Sequence, residues 1–408
     1  MDGESVCNGK SSGQAINHEA AVLGRYGSAA REVETCLCLP VSYDKALLNV
    51  IPDEILERDY GCGDPSRYIR EGETVLDLGS GSGKACYIIS QIVGARGRVI
   101  GIDFNPPMLE LARKYQRLIG DKLGYHNVEF RRGKIQDLKS NLELLDQHLK
   151  ENPVRSVADL AHLEEFESRM RREQPLIADE SIDVVVSNCV LNLVRPEDKK
   201  QLFAEMYRVL KRGGRVAISD IVSDEPVPDH LARDPNLWSA CVSGAFQEEE
   251  FLRAFEEAKF HGVQIEDFSS KPYQTVEGIE FRAITVTAYK GKEGPCIERN
   301  QAVIYRGPWK QVVDDDGHTL ERGARMAVCD KTFRLYSQPP YAGQFILVPP
   351  REEVVIKDAG VFDCARDHKR HPRETKGEGY AVTTAASGNG RMTLRWIEPT
   401  FAPDRSRM

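Results

Sequence analysis

The chain has 408 residues, of which 41% are hydrophobic and 29% charged, and its formal net charge is −8. This acidic balance argues against a nucleic-acid backbone as a partner. No run of 18 apolar residues occurs, so we predict no membrane-spanning helix, and the polar N-terminus predicts no secretory signal. At this length we expect two or three domains.

The beginning of the chain is predicted to combine a polar arm with two helices. Residues 1–22 carry little apolar content and are expected to be mobile. Helices are predicted over residues 21–34 and 43–50. Between them lie Cys36 and Cys38, which are separated by one residue and followed closely by a proline.

A glycine-rich turn follows the apolar run at residues 74–78, which has the composition of a buried parallel strand. Its three glycines, which let the backbone turn sharply and approach a ligand, are Gly79, Gly81 and Gly83. A helix over residues 84–93 and a strand over 98–103 are predicted next. The strand ends at Asp103, where an acid can bind a ribose hydroxyl pair. The Gly-x-Gly-x-Gly spacing differs from the dinucleotide form, and the absence of a closing Lys-Ser or Lys-Thr excludes a triphosphatase phosphate loop.

Strands and helices continue to alternate up to residue 223, which predicts a parallel sheet covered by helices, a doubly wound α/β fold. The further strands are predicted at 127–131, 181–187 and 214–220, and the further helices at 106–119 and 197–210. Residues 139–178 interrupt this pattern, and their charge predicts a helical insertion on the surface.

Beyond the sheet the composition changes twice. A loop rich in Asp and Pro over residues 224–235 precedes a helix at 247–259 and strands at 262–268 and 280–289. Residues 291–294 are typical of a linker. We therefore predict four parts: an N-terminal segment (1–63), a sheet domain (64–223), an appended α+β region (224–293) and a small C-terminal domain with a charged tail (294–408).

The chain contains ten cysteines, which in a reducing compartment are not expected to form a disulfide framework. Cys62 lies between two glycines, which favours close approach to a ligand over a place in the core. Cys189 follows the fourth strand of the sheet, at the edge where parallel sheets bind ligands, and Cys241 follows the fifth. Thiolates are soft ligands and suit a soft ion.

The other cysteines have simpler interpretations. Cys86 is expected in the core beside apolar helix partners, and Cys7 is expected to be incidental. Whether a further thiol site is formed by Cys296, Cys329 and Cys364 stays open.

The glycine turn and its following acid resemble those of S-adenosylmethionine-dependent methyltransferases. Four segments together resemble the arsenite S-adenosylmethionine methyltransferases: Tyr60-Gly-Cys-Gly-Asp-Pro, Leu76-Asp-Leu-Gly-Ser-Gly-Ser-Gly, Ser187-Asn-Cys-Val-Leu-Asn-Leu-Val and Trp238-Ser-Ala-Cys-Val-Ser-Gly-Ala. The likeness covers roughly residues 20–330. It departs at Gln136, where the family has an acid, and in the insertion.

This resemblance implies a class I methyltransferase-like Rossmann core, with S-adenosylmethionine as methyl donor and trivalent arsenic as acceptor. It implies that Cys62, Cys189 and Cys241 bind the arsenic and that Cys36 or Cys38 is a redox cysteine, a choice that the spacing leaves open. The donor-binding positions it implies are Asp77, Gly79, Ser80, Gly81, Asp103, Met108, Ile135 and Gln136.

The resemblance also implies a mechanism. The lone pair of arsenic held by three thiolates attacks the methyl group, and a disulfide between Cys62 and Cys36 or Cys38 then returns arsenic to the trivalent state. An external thiol, either glutathione or a thioredoxin-type protein, resets the enzyme. We expect a cytoplasmic enzyme that acts on a small arsenic–thiol adduct, with no nucleic-acid or membrane partner.

Two alternatives stay open. One is a methyltransferase for another soft or small organic acceptor. The other is a non-enzymatic thiol protein that binds arsenite, against which the intact set of Gly79, Gly81 and Asp103 argues.

Overall fold

The computed structural model describes residues 17–34, 41, 43–364, 369–377 and 379–381. The chain divides into two compact units. The first extends to Gly294 and takes in Val313–His318, whereas the second comprises Pro295–Val312 and the chain from Thr319 onwards.

The first unit is built on one nine-stranded sheet. Its strands are β1 (Thr74–Leu78), β2 (Arg98–Asp103), β3 (Val128–Arg132), β4 (Ile182–Asn188), β5 (Leu210–Ser223), β6 (Phe246–Gln247), β7 (His261–Phe268), β8 (Gln274–Val276) and β9 (Ile279–Tyr289). The main path is β3-β2-β1-β4-β5-β9-β7, with β6 paired to β5 and β8 paired to β9. Strands β1 to β5 are mutually parallel, whereas β9 runs antiparallel to both β5 and β7.

Helices cover both faces of this sheet. They are α1 (His18–Ala29), α2 (Lys45–Leu48), α3 (Asp53–Leu56), α4 (Lys84–Val93), α5 (Pro106–Leu123), α6 (Leu142–Glu151), α7 (Val157–Glu173), α8 (Pro196–Val209), α9 (Asp229–Ala232), α10 (Pro235–Ser239) and α11 (Glu248–Glu257). Successive residues of β1 enter different cores: Val75 packs with α4 and α5, and Leu76 packs with α8 and α11. This alternation across a strand is what a doubly wound sheet requires, so the predicted fold class is confirmed.

Three details differ from the sequence-based expectation. The sheet is mixed rather than wholly parallel, because the strands expected at 262–268 and 280–289 join it as antiparallel β7 and β9. A sheet thus crosses the predicted boundary at residue 223. The first helix begins at His18, so residues 18–22 are not part of an arm; Asn17 accepts a hydrogen bond from the amide of Ala20 and caps the helix.

The predicted insertion is present as α6 and α7, which are largely exposed. Of the residues in these two helices only Met170 is buried. Among the residues that the structure describes, no helix is both long and apolar enough to cross a membrane.

The second unit has its own small core. Strand β10 (Ala302–Tyr305) pairs antiparallel with β13 (Arg325–Ala327) and β14 (Phe345–Val348), and a hairpin is formed by β11 (Gln311–Val313) and β12 (Thr319–Glu321). Helices α12 (Asp330–Tyr336) and α13 (Pro372–Lys376) complete the described part. Tyr305, Tyr336 and Phe345 pack together at its centre.

Candidate active site

The order of the strands creates a crevice beside β1. The chain passes from β1 to β2 on one side, whereas β4 flanks β1 on the other, so the loops that leave β1 and β4 diverge at their carboxyl ends. Ligands of open α/β sheets bind at such a switch point. Here a pocket of about 1080 Å³, its open mouth included, is lined by both loops.

The glycine turn after β1 forms one wall of this pocket. Gly79 and Gly81 have φ angles of 75° and 50°, a conformation that side chains disfavour. A Cβ on Gly79 would lie 2.5 Å from the side chain of Val190 in the β4 loop, whereas one on Gly81 would meet nothing within 4 Å. Gly79 thus lets the two loops approach, and Gly81 leaves backbone open to a ligand.

Asp103 fixes this turn from the end of β2. Its carboxylate accepts hydrogen bonds from the amides of Gly81 at 2.9 Å and Asn105 at 2.8 Å. Burial raises the pKa of Asp103 and raises that of Asp77 to about 7, and the thiol of Cys86 donates to Asp77 at 3.1 Å. Cys86 is fully buried in the core, as predicted.

The structure brings all the sequence-predicted donor positions together, since each of them lines the pocket: Asp77, Gly79, Ser80, Gly81, Asp103, Met108, Ile135 and Gln136. Two buried oxygens in its wall, Ser80 Oγ and Asn105 Oδ1, have no hydrogen-bond partner among the described residues. A polar ligand would satisfy them. The pocket therefore fits a ligand such as S-adenosylmethionine, which has both polar and apolar parts.

Next to this pocket lie the three thiols that the sequence singled out. The Sγ atoms of Cys189 and Cys241 and a carboxylate oxygen of Asp220 lie within 4.8 Å of one another. Cys62 packs in the same apolar cluster and is hydrogen-bonded to Cys189. Cys189 also lines the pocket beside β1, called the donor pocket below after the predicted donor-binding residues in its wall, so this pocket and the thiol cluster share a wall.

Cys62 is held in place by Asn188 at the end of β4. The Oδ1 atom of Asn188 accepts the amide of Cys62 at 2.8 Å and that of Gly63 at 3.1 Å, and its Nδ2 donates to the carbonyl of Gly63 at 2.7 Å. A Cβ on Gly61 would lie 2.2 Å from Nδ2 of Asn188, and one on Gly63 would lie 2.5 Å from Oγ of Ser219. The two glycines thus let Cys62 approach the sheet itself, and the predicted approach to a ligand stays a prediction.

Cys189 and Cys241 share an unusual backbone conformation. Both have a φ of 62°, in the left-handed region that costs a residue with a side chain about 1–3 kcal/mol. Cys241 Sγ donates to the carbonyl of Cys189 at 2.7 Å, and Nδ2 of Asn192 donates to the carbonyls of Ile221 at 2.7 Å and Cys241 at 3.2 Å. These contacts hold both cysteines in the strained geometry.

Without a ligand the thiols favour their neutral form. Burial raises the pKa of Cys62, against a hydrogen bond from Cys189 that lowers it. A hydrogen bond from Cys241 acts to lower the pKa of Cys189, but its own hydrogen bond to Cys62 and its burial raise that pKa well above the ordinary value. The hydrogen bond to Cys189, followed by burial, raises the pKa of Cys241 in the same way.

Two charged groups that sequence reasoning missed stand beside the thiols, the buried Asp220 and the half-buried Lys199. Burial raises the pKa of Asp220 to about 6, and its carboxylate accepts the amides of Leu191 and Ile221, both at 2.8 Å. Burial lowers the pKa of Lys199 to about 8, and its ammonium donates to the carbonyl of Gly244 at 2.6 Å. Asp220 and Lys199 are close enough for each to shift the pKa of the other.

Helix α1 is the other contribution that the sequence did not reveal. Its residues Glu19, Val22 and Tyr26 line the donor pocket, and the Tyr26 hydroxyl is a hydrogen-bond partner of the Cys241 thiol. Glu19 pairs with Lys134 at 2.7 Å, which anchors the helix over the pocket. The apolar spacing of α1 indicated a helix, but nothing local indicated where it packs.

The remaining cysteines lie elsewhere. Cys36, Cys38 and Cys7 fall outside the residues that the structure describes. In the second unit Cys296 and Cys329 pack near Phe362, and no group of three clustered metal-ligating atoms in the described part of the chain includes either of them.

Comparison with family profiles divides the chain much as the fold does. A profile described as a methyltransferase domain matches residues 69–150 and 155–259. A second profile, described as a domain of unknown function, matches residues 292–380.

Whole-chain relatives share a single description. An arsenite methyltransferase of Aquipseudomonas alcaligenes is 33% identical over 350 residues, which span 80% of this chain and 90% of that protein. An arsenite methyltransferase of Homo sapiens is 30% identical over 335 residues, 79% of each chain. The crystal structure of an arsenic (III) S-adenosylmethionine methyltransferase from Chlamydomonas reinhardtii has a TM-score of 0.51 and 27% identity, and covers 80% of this chain and 100% of that one.

Proposed function

The chain belongs to the family of arsenite methyltransferases, and we propose that it transfers methyl groups from S-adenosylmethionine to trivalent arsenic held by Cys62, Cys189 and Cys241. One observation carries this proposal: Cys189 belongs both to the thiol cluster and to the wall of the donor pocket. An atom bound by these thiols lies next to the bound donor.

The chemistry of the three thiols suits this acceptor. Sulfur ligands select soft ions, and three of them leave trivalent arsenic with one lone pair. Each neutral thiol can give its proton to a departing hydroxide or thiolate as an arsenic–sulfur bond forms. The raised pKa values of Cys62, Cys189 and Cys241 are therefore no barrier to binding.

On the donor side, S-adenosylmethionine supplies an electrophilic methyl group. Asp103, set by the amides of Gly81 and Asn105, is placed to accept hydrogen bonds from ribose hydroxyls, and Gly81 offers open backbone. Ser80 and Asn105 supply buried oxygens for further polar contacts. Gln136 stands in the same pocket as an uncharged acceptor.

Positioning supplies much of the rate in this scheme. Holding two reactants in line converts a bimolecular displacement into an intramolecular one, worth up to about 7–11 kcal/mol of barrier. The strained backbones of Cys189 and Cys241 serve this purpose because they restrict the acceptor, and residues of α1 line the pocket beside it. We assign donor binding to residues 64–223 and acceptor binding to residues 224–293, completed by Cys62 and Cys189.

We further propose a reduction after each transfer. Methylation raises arsenic formally by two oxidation units, and a disulfide between Cys62 and Cys36 or Cys38 returns two electrons to it. Glutathione or a thioredoxin-type protein then reduces the disulfide by thiol exchange. This cycle needs a reducing compartment, and we place the protein in the cytoplasm.

The proposal is tested by incubating the pure protein with S-adenosylmethionine, glutathione and arsenite and separating the arsenic species by chromatography. Methylated arsenicals should form. Cys189→Ser and Cys241→Ser, which replace a soft ligand by a hydroxyl, should abolish arsenite binding and methylation but keep donor binding. Cys296→Ser serves as the control and should stay active. A Cys189→Ser variant with near wild-type methylation would refute the thiol site.

The redox step is tested separately. The double variant Cys36→Ser, Cys38→Ser should lose methylation of arsenite yet keep activity on trivalent monomethylarsenic, whereas Cys62→Ser should impair both. Thermal unfolding checks that each variant is folded. Equal activity of the double variant and the wild type on both substrates would mean that neither cysteine takes part and that another thiol, or free glutathione, performs the reduction.

A further inference from the structure

The buried carboxylate of Asp220 has no role in the scheme above. It is fully buried on β5, and one of its oxygens lies within 4.8 Å of the Sγ atoms of both Cys189 and Cys241. Burying a charge is costly. The backbone amides of Leu191 and Ile221 stabilise the charged form of Asp220, but burial outweighs them and raises its pKa. The position of the Asp220 carboxylate beside two proposed arsenic ligands suggests an electrostatic role in the reaction.

The charge balance of methyl transfer identifies that role. The arsenic lone pair becomes the new arsenic–carbon bond, while the carbon–sulfur bond of the donor breaks and its electron pair stays on the donor sulfur. The positive charge of the sulfonium therefore moves onto arsenic, which is neutral while three thiolates hold it. The acceptor site thus becomes more positive as the reaction proceeds.

We propose that the Asp220 carboxylate stabilises the positive charge that arsenic acquires in the transition state. This inference rests on the proposed binding of arsenic by Cys189 and Cys241. A fixed charge aimed at developing charge in a water-poor site is among the larger contributions to catalysis. It acts little on the neutral bound substrate, so it raises the rate of transfer rather than the affinity for arsenite.

The groups around Asp220 are consistent with this role. Lys199 is the cation whose charge acts on Asp220, but its ammonium donates to the Gly244 carbonyl and lies 3.8 Å from the centre of the Phe246 ring. Lys199 therefore acts on the Asp220 carboxylate through its charge, which lowers the pKa of Asp220, while its hydrogen bond goes to Gly244. The phenols of Tyr26 and Tyr273, also near the thiols, are neutral because burial raises the pKa of each.

The test is the single-turnover rate with arsenite and donor both saturating, together with separate titrations of each ligand. Asp220→Asn keeps the shape and removes the charge, and should slow transfer by about 100-fold, with both affinities within about threefold of the wild type. Asp183→Asn is the control for loss of a carboxylate elsewhere in the sheet: Asp183, at the start of β4, accepts the amide of Thr74 at 2.9 Å and pairs with Lys211 at 2.8 Å, and its substitution should leave the transfer rate unchanged.

A further variant separates charge from shape. Asp220→Glu keeps the charge and alters the shape, so it should transfer faster than Asp220→Asn; the reverse order would assign Asp220 a structural role and overturn the proposal.

These outcomes are distinguishable from failure of the arsenic site itself. Normal transfer by a folded Asp220→Asn variant that binds arsenite overturns only the present inference. Arsenite binding that survives in Cys189→Ser instead overturns the binding site on which it rests.

Discussion

The glycine turn of the donor pocket, called the donor turn here, and the thiol site use the same backbone conformation, but the first has glycines there and the second has cysteines. Left-handed φ angles occur at Gly79 and Gly81 in the first and at Cys189 and Cys241 in the second. In the donor turn the backbone must approach its ligand, so the residue that adopts this conformation without strain is suitable. In the thiol site the proposed function belongs to the side chains of the cysteines, and the strained backbone sets their direction.

The two sites also differ in how far apart their parts lie in the sequence. The donor turn and Asp103 come from one stretch of about 25 residues, and a single strand-turn-helix-strand unit assembles them. Cys62, Cys189 and Cys241 are brought together by the sheet edge and by Asn188. Substitutions in this unit should therefore weaken donor binding alone. Arsenite binding should also respond to substitutions of the residues that hold the three cysteines in place.

The largest effect that separates the two sites is expected for Asp103→Asn. Loss of a charge-assisted hydrogen bond to a ligand costs about 1.5–3 kcal/mol, so donor affinity should fall by roughly 10–150-fold. Arsenite binding should stay unchanged, because Asp103 contacts the glycine turn and not the thiols. Calorimetric titrations of the two ligands measure both; an equal loss of arsenite affinity would mean that the sites are not separable.

A smaller effect is expected from Gly61→Ala, which tests the support of Cys62. The new Cβ would meet Nδ2 of Asn188 at 2.2 Å, and this side chain cannot move without losing its bonds to Cys62 and Gly63. Arsenite affinity should fall by about 10-fold, the equivalent of one hydrogen bond of about 1.4 kcal/mol. Donor affinity should change less.

Gly24→Ala is the matched control for this substitution. A Cβ on Gly24 meets nothing within 4 Å, and its helical position favours alanine. If both alanine variants bind arsenite equally well, the proposed placement of Cys62 by glycine is wrong.

The strain itself predicts a still smaller effect. Cys241→Gly and Cys241→Ala both remove the thiol, but only glycine adopts a φ of 62° freely. The glycine variant should be the more stable by about 0.5–1 kcal/mol, after its greater freedom in the unfolded state is subtracted. At Cys86, inside α4, the order should reverse. Urea unfolding of the four variants measures these differences in the free energy of unfolding. If the same residue, glycine or alanine, were the more stabilising at both positions, the argument for strain would fail.

The last prediction concerns the number of protons exchanged with the buffer when arsenite binds, which we expect to be zero. Because the pKa of each of the three thiols is raised, they are neutral at pH 7.5, and exchange of hydroxide for thiolate on arsenic then yields water. The binding enthalpy should be the same in buffers of different ionisation enthalpy. Proton uptake on binding would mean that a thiolate exists beforehand and that burial does not control these groups.

The sequence predicted what local patterns determine. The bounds of β1, β2 and α4 agree with the predicted ranges, because glycines and apolar periodicity mark them directly. The antiparallel direction of β7 and β9 was not predictable, since it depends on which sheet edge is free after β5 forms. The roles of Tyr26 and Asp220 were equally hidden, because each reaches the thiols only through packing between distant segments.

In the proposed scheme, the shared position of Cys189 also links the occupancies of the two sites. Whatever arsenic does to the loop that carries Cys189 and Val190 changes the wall against which Gly79 packs. By thermodynamic linkage, the factor by which bound arsenic changes donor affinity equals the factor by which bound donor changes arsenic affinity. Where this factor differs from one, the proposed site makes Cys189 the residue through which the supply of methyl groups acts on the uptake of the metalloid.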